Sequence, residues 1–244
     1  MSQHIIPYTK ARSLVQAYLS EKNINAIQKG ISFGGTVETS SLKQKPPYVA
    51  IPGIRFWLCY DTGANGPQLF AGAEHVTIEY DEIGAFSTMK SILKAPTADS
   101  MFTYTSTDIT DKAMDKYLAD SSNFKIGVDR VITKDPDPVS GMPGAVKYVD
   151  NFLNQFPPQP DGSSYNPIGA SFYDDLDLDI DKFLNQKDSK GNTITHARYI
   201  FGIENTVADH KYPLRMVLFG VDFDGSTLIN ENALILERGW PPRS

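Results

Sequence analysis

The stretch ARYIFGIE at residues 197–204 decides how this chain folds. Apolar side chains recur at every second position, which is the spacing of a β-strand with one buried face. They are Ala197, Tyr199, Phe201 and Ile203. The segment MVLFGVDFDG (216–225) also has the composition of a strand, and it ends in an Asp-x-x-Gly turn signal. The two segments together predict a β-hairpin.

The same pattern occurs once more, nearer the N-terminus. IRFWLCYD (54–61) alternates in the same way, and HVTIEYDEIG (75–84) runs into a second Asp-x-x-Gly. Each strand pair is preceded by a segment with apolar residues at i, i+3, i+4, i+7 and i+8, which is typical of an amphipathic helix. These segments are ARSLVQAYLS (11–20) and AVKYVDNFLN (145–154).

A short segment between helix and hairpin also recurs, as GISF (30–33) and GASF (169–172). Four segments in the same order predict an internal duplication. We therefore expect an α+β fold of two tandem helix–strand–hairpin repeats, with antiparallel sheet and a pseudo-two-fold relation. The alternative is that such patterns are common in mixed folds and that their alignment is generic.

The domain prediction follows from the repeats. Residues 1–90 form the first repeat, residues 91–142 a connector and residues 143–244 the second repeat. A two-stranded hairpin is marginally stable by itself, so the repeats are expected to share one core. Whether the strands form one sheet or two is open at this point.

The connector has elements of its own. Residues 107–120 predict a helix with Thr110 as N-cap. FKIGVDRVIT (124–133) predicts a strand at a sheet edge, and KDPDPVSGMPG (134–144) a Pro/Gly linker that ends just before the second helix.

Composition narrows the classes of partner. The 244 residues are 41% hydrophobic and 21% charged, and the net charge of −6 argues against nucleic-acid binding. The apolar stretch from Met216 to Val221 is far shorter than the roughly 20 residues that span a bilayer. The N-terminal sequence predicts no secretory signal, so a cytoplasmic location is expected, although a signal already removed would leave the same picture. The expected partner is a protein or a small-molecule ligand.

The strand pair ARYIFGIE…MVLFGVDFDG resembles a group of small uncharacterised bacterial proteins. In that group a helical start is followed by an R-x-Y-F-G-(D/E) strand and an L-V-G-V-D-x-x-G strand. The resemblance covers Ala145 to Gly225 best. The first copy departs from it at Trp57, Cys59 and Tyr80. The resemblance implies the helix-plus-hairpin unit and brings no activity with it.

Five aspartates crowd the segment SFYDDLDLDIDKFL (171–184). Alternating carboxylates can hold calcium, which takes six to eight oxygen ligands. The calcium register would use Asp177, Asp179, Asp181 and Asp188. However, Lys182 stands where such a loop needs glycine. The alternative is a helix start with Asp179 as N-cap and the other acids near the positive end of the helix dipole.

Two arginine–acid pairs are the candidate ligand-binding residues. Arg55 and Asp61 share one strand face, as do Arg198 and Glu204. A guanidinium on a strand can bind a carboxylate or phosphate through two hydrogen bonds, although cross-strand pairing is the commoner use. The single cysteine, Cys59, favours a packing role, and the four histidines form no metal-binding motif.

Three functions remain open on these residues. The leading hypothesis is a non-catalytic binding or protein-interaction module, because no catalytic motif is present. The second is a hydrolase-type enzyme whose acids and histidines converge between the repeats. The third is a binding protein stabilised by calcium, and no other cofactor is expected.

Overall fold

The computed structural model describes residues 4–20, 32–43, 51–63, 68–78, 92–139, 141, 143–156, 169–174, 178–204 and 214–237. These residues form a mixed α+β fold with five α-helices and two antiparallel sheets. The helices are α1 (Tyr8–Ser20), α2 (Thr39–Leu42), α3 (Asp111–Ala119), α4 (Ala145–Gln155) and α5 (Asp179–Asn185). The strands are β1 (Ile5–Ile6), β2 (Gly34–Glu38), β3 (Ile51–Asp61), β4 (Gln68–Ile78), β5 (Ile92–Ala95), β6 (Met101–Phe102), β7 (Arg130–Thr133), β8 (Gly169–Tyr173), β9 (His196–Ile203), β10 (Leu214–Gly220) and β11 (Ile235–Leu236).

The strands divide between a six-stranded sheet A and a five-stranded sheet B. Sheet A has the order β1–β11–β10–β9–β2–β6, and sheet B the order β7–β5–β4–β3–β8. The two long hairpins, β9–β10 and β3–β4, lie inside their sheets, and each has partners on both sides.

The two sheets pack face to face, and helices cover their outer faces. The rings of Phe56 in sheet B and Tyr199 in sheet A lie 6.2 Å apart, and the Tyr199 hydroxyl accepts the Ala71 N–H at 3.0 Å. On the outer face of sheet A, α1 lies so close that a Cβ on Gly202 would be 2.9 Å from the Cβ of Leu14. On the outer face of sheet B, α4 packs through contacts such as Phe70–Tyr148, at 5.4 Å. The layers are therefore helix, sheet, sheet and helix.

The predicted helices and hairpins are confirmed. The amphipathic segments 11–20 and 145–154 lie within α1 and α4, and both strand pairs form antiparallel hairpins. The Thr110 side chain accepts the Ala113 N–H and caps α3 as predicted. The Asp222–Gly225 turn also forms, with Gly225 at φ +90°. Asp81–Gly84 lies outside the described residues.

Each hairpin is flanked by two strands, and one of the two comes from the other half of the chain. Strand β2 joins sheet A beside β9, whereas β8 joins sheet B beside β3. The predicted boundaries of the halves therefore cut through both sheets. The question of one sheet or two, which the sequence left open, is resolved as two.

The register of these strands corrects one alignment. Gly34 lies opposite Ile200, and Gly169 lies opposite Trp57. Trp57 and Ile200 are matched positions of the two hairpins, so the strand equivalent to GASF (169–172) is GGTV (34–37). The alignment of GASF with GISF is wrong by four residues. The tandem duplication and its pseudo-two-fold axis stay predictions.

The connector contributes more to the sheets than its sequence predicts. It supplies β5, β6 and β7, and the strand expected over 124–133 is shortened to β7, at the edge of sheet B. The residues before β7 are held elsewhere. The Asp129 carboxylate accepts the N–H of Glu38, at the end of β2, at 3.2 Å, and the Gly127 N–H donates to Ser100 Oγ at 2.8 Å.

The aspartate-rich segment starts a helix, but Asp179 is not its cap. The N-cap position of α5 is Leu178, in a left-handed conformation with φ +52° and without a side-chain cap bond. The Asp174 carboxylate instead accepts the Ile180 N–H at 2.7 Å. Asp179 faces inward and accepts the His4 N–H at 3.0 Å. The predicted helix start is confirmed, but the residue that caps it is Asp174, five positions before the predicted Asp179.

Replacing Asp174 with alanine is expected to lower the free energy of unfolding by about 1–2 kcal/mol, because the buried Ile180 N–H loses its acceptor. Asp174→Asn keeps a side-chain oxygen and should lose less. Urea unfolding of both variants measures the difference. Equal stability of the alanine variant and the parent protein would contradict this assignment of the cap.

Candidate functional site

The residues of the predicted calcium register are used in separate local interactions. Asp181 accepts the Asn185 side-chain amide at 2.9 Å, and Asp188 accepts the backbone N–H groups of its own turn, at Lys190 and Asn192. Asp179 binds the backbone of His4 as described above. Asp177 lies outside the described residues. Within the described part of the chain, no group of three or more histidine, cysteine or acidic side chains could hold a metal ion.

Cys59 is a packing residue in this structure. It is fully buried on the outer face of sheet B, and its burial raises the pKa of the thiol to about 12. The thiol is therefore protonated near neutral pH and is a poor nucleophile. His196 is half-buried, and burial lowers its pKa.

Arg198 is the largest fully buried side chain among the described residues. Its Nε donates to Thr36 Oγ1 at 3.2 Å, its Nη1 to Thr227 Oγ1 at 2.6 Å and its Nη2 to the Gly225 carbonyl at 2.9 Å. Its guanidinium carbon lies 3.7 Å from the centre of the Phe124 ring. Burial lowers the pKa of Arg198 to about 9. With all three nitrogens engaged, Arg198 ties β9 to β2 and to the turn after β10.

The acids predicted to act with the two arginines are engaged elsewhere. Asp61 lies six residues beyond Arg55 on β3, which is roughly 20 Å along a strand. The Asp61 carboxylate accepts the Gly63 N–H at 2.9 Å. Glu204 pairs with Lys10 of α1 at 2.5 Å. The structure therefore does not assemble Arg55 with Asp61 or Arg198 with Glu204.

Arg55 instead belongs to a polar row on the outer face of sheet B. Ser171 on β8 and Glu74 on β4 lie directly opposite it on either side. The Arg55 Nε donates to Ser171 Oγ at 3.3 Å, and its Nη1 lies 3.7 Å from Glu74 Oε1. The Arg55 guanidinium also lies over the Trp57 ring, 5.3 Å from its centre. We call Arg55, Trp57, Glu74 and Ser171 the Arg55 cluster.

The Arg55 guanidinium keeps donors to spare. Glu74 Oε1 accepts the Trp57 indole N–H at 2.7 Å, and it is too far from Arg55 for a hydrogen bond. Neither Nη1 nor Nη2 of Arg55 donates to any residue that the structure describes. The Arg55 side chain retains 7% exposure, and Trp57 is half-buried. Charge and hydrogen-bond donors are thus available close to the surface.

Glu74 is a carboxyl group under opposing influences. Burial, the largest cause, raises its pKa above the usual value, while the Trp57 hydrogen bond and the charge of Arg55 lower it. The net shift is upward. Glu74 therefore takes up a proton at a higher pH than a free glutamate does.

The junction of the two sheets contains a cavity of about 10 Å³. It is lined by Leu58, Gly169, Ala170, Phe201, Leu214, Arg215 and Met216. Arg215 is the one titratable side chain of that lining, and it pairs with Glu237 at 3.3 Å. This cavity offers no acid–base pair to the hydrolase hypothesis, which stays a prediction.

Sequence reasoning identified Arg55, with Trp57 on the same strand face, and missed Glu74 and Ser171. Glu74 and Ser171 meet Arg55 only through strand pairing, and neither belongs to a motif. The register of the β3–β4 hairpin would have paired Glu74 with Arg55, but an unknown turn length leaves that register undetermined. Ser171 comes from the other half of the chain, and no local pattern points to it.

In the described ranges, none of the helices is both long and apolar enough to cross a membrane. Comparison with models of known protein families, with curated proteins and with solved structures gives no match. The resemblance to small bacterial helix-plus-hairpin proteins stays a prediction.

Proposed function

We propose that the protein is a non-catalytic binding module that holds an acidic group of its ligand, a carboxylate or a phosphate-like anion, at Arg55. The observation that carries the proposal is the pair of Nη groups that donate to no described residue, beside the half-buried Trp57. A guanidinium with free donors and an aromatic neighbour is suited to a planar or tetrahedral oxyanion. Arg198, with every nitrogen bonded, lacks this capacity.

Fluorescence of Trp57 tests the proposal, because the Arg55 guanidinium lies over that ring. The chain has two tryptophans, so a Trp240→Phe background leaves Trp57 as the reporter. Sulfate added to this protein is expected to change the emission with saturation, and Arg55→Met is expected to abolish the change. The control is Lys112→Met, which removes one exposed positive charge from α3. Equal sulfate binding by the Arg55→Met and control variants would refute the proposal.

Sulfate affinity is expected to rise as the pH falls. Glu74 has a raised pKa, so it becomes neutral while sulfate remains ionised, and the carboxylate then stops competing for Arg55. As the pH falls through the raised pKa of Glu74, the dissociation constant should fall roughly two- to fivefold, the factor for loss of a weak ion pair of about 0.5–1 kcal/mol whose atoms lie 3.7 Å apart. Glu74→Gln should bind more tightly at neutral pH and show no such pH dependence. A parent-like pH profile in that variant would exclude Glu74 as the competitor.

A further inference from the structure

Arg130 begins β7, the edge strand of sheet B. Its guanidinium carbon lies 4.7 Å from the centre of the Phe70 ring and 5.8 Å from that of Tyr148, on α4. Its Nε and Nη2 are both buried, and neither has a hydrogen-bond partner in the part of the chain that the structure describes. Buried charged donors without acceptors are rare in folded proteins, and each one needs a physical explanation.

Other arginines of the chain show how these donors are normally used. All three nitrogens of Arg198 donate, and both Nη groups of Arg12 donate to carboxylates of α3. Stacking on Phe70 and Tyr148 stabilises the flat face of the Arg130 guanidinium. The Tyr148 hydroxyl also interacts with the guanidinium through a hydrogen bond, which leaves Nε and Nη2 as the donors without a partner among the described residues. The unpaired edge of Arg130 is therefore the feature that requires a partner.

The two unpaired nitrogens form one side of the guanidinium. Nε–H and the neighbouring Nη2–H point in the same direction, and their spacing matches the two oxygens of a carboxylate. The surroundings of the Arg130 guanidinium are largely apolar: Phe70, Tyr148 and the buried Cys59 belong to one hydrophobic cluster, and the Tyr148 hydroxyl is the polar group next to the guanidinium. No acidic side chain forms an ion pair with Arg130 among the described residues.

We infer that Arg130 is the anchor of a binding site for a small monocarboxylic acid with an apolar body, between β7 and α4. The carboxylate occupies the Nε–Nη2 edge, and the apolar body lies against Phe70 and Tyr148. A small ligand is required because both nitrogens are buried. The free edge of β7 provides the side of entry, since β7 is the outermost strand of sheet B among the residues that the structure describes.

This site is separate from the Arg55 cluster. Strand β7 and strand β3 are separated by two other strands in sheet B, which places them roughly 14 Å apart at the usual strand spacing. The two sites also differ in chemistry, because the Arg55 cluster has a competing carboxyl group and is partly open to solvent.

Thermal melting of the full-length protein with benzoate tests the inference, and uncharged benzamide serves as the matched probe. Benzoate at about 100 times its dissociation constant should raise the melting temperature by roughly 5–10 °C. Benzamide should produce no shift. Arg130→Met should abolish the benzoate shift, and Arg130→Lys should reduce it because an ammonium group lacks the planar edge. Arg55→Met should retain the full shift, so failure of either proposal leaves the other testable.

Two further measurements keep the inference open to refutation if a variant folds poorly. In protein labelled with ¹⁵N-arginine, the Nε–H signal of Arg130 should shift on addition of benzoate and stay unchanged with benzamide. Without ligand, Arg130→Met should melt at or above the parent temperature, because it removes two buried donors that have no partner among the described residues. The assignment would be overturned if the Nε–H signal did not move with benzoate, or if benzoate did not raise the melting temperature of the parent protein. It would also be overturned if ligand-free Arg130→Met melted more than about 5 °C below the parent.

Discussion

Arg198→Met is expected to lower the free energy of unfolding by about 3–5 kcal/mol, which corresponds to a fall in melting temperature of roughly 6–15 °C. Methionine fills much of the space but leaves the Thr36 hydroxyl, the Thr227 hydroxyl and the Gly225 carbonyl without their donor. Each unpaired buried group costs about 1–3 kcal/mol. Relief of the buried charge offsets only part of this loss, because that charge is satisfied by three bonds and by the Phe124 ring.

Urea unfolding and thermal melting both measure this effect. Lys112→Met is the matched control, since it removes the same charge from an exposed position and should change stability by less than about 0.5 kcal/mol. Arg198→Lys should fall between the two, because one ammonium group cannot reach all three acceptors. If Arg198→Met unfolds at the same urea concentration as the control, the three hydrogen bonds do not stabilise the fold as described.

Alanine at Gly34 or Gly169 is expected to cost at least about 3 kcal/mol, and the double variant is expected not to fold. A Cβ on Gly34 would lie 2.1 Å from the Tyr199 carbonyl oxygen, and a Cβ on Gly169 would lie 1.9 Å from that of Phe56. Both obstacles are backbone atoms inside a sheet, so relief requires one strand to move away from its neighbour. These two strands, β2 and β8, are those that cross between the halves of the chain.

Gly72→Ala is the control for both glycine variants, because it lies in sheet B and takes the same substitution. The nearest atom to its added Cβ is the Cδ1 end of the Leu93 side chain, at 3.1 Å, which can rotate away. The expected cost is below about 1 kcal/mol. Circular dichroism and melting temperature measure all the variants. Comparable melting temperatures for Gly169→Ala and Gly72→Ala would show that β8 does not pack against β3 as closely as described.

The sequence predicted the elements whose burial follows a strict period. Helices α1 and α4 and the strands of both hairpins were recognised because one face of each is apolar at a regular spacing. The helix α3 was recognised from its cap residue, Thr110. Strand β7 was predicted too long, because its first half binds the end of β2 and Ser100 through side-chain contacts that follow no period.

The candidate binding site was predictable only in part. Arg55 stood out as a charged residue within an apolar strand, but its partners depend on hairpin register and on a strand from the far half of the chain. Arg130 gave no signal at all. Two of its nitrogens have no acceptor among the described residues, and a sequence does not reveal which groups will surround a side chain.

The periodic pattern of apolar residues alone determined that this chain forms two amphipathic helices and two antiparallel hairpins. The pattern arises because one face of each element is buried, and its period is the same whichever residues cover that face. Only the tertiary structure decided that β2 and β8 each pair with the hairpin of the other half, and that Asp174 caps α5. It also decided that every guanidinium nitrogen of Arg198 is hydrogen-bonded, whereas two of Arg130 have no partner among the described residues. Strand pairing and side-chain hydrogen bonding join residues that are far apart in the chain. Such contacts follow no regular spacing, so the sequence does not predict them.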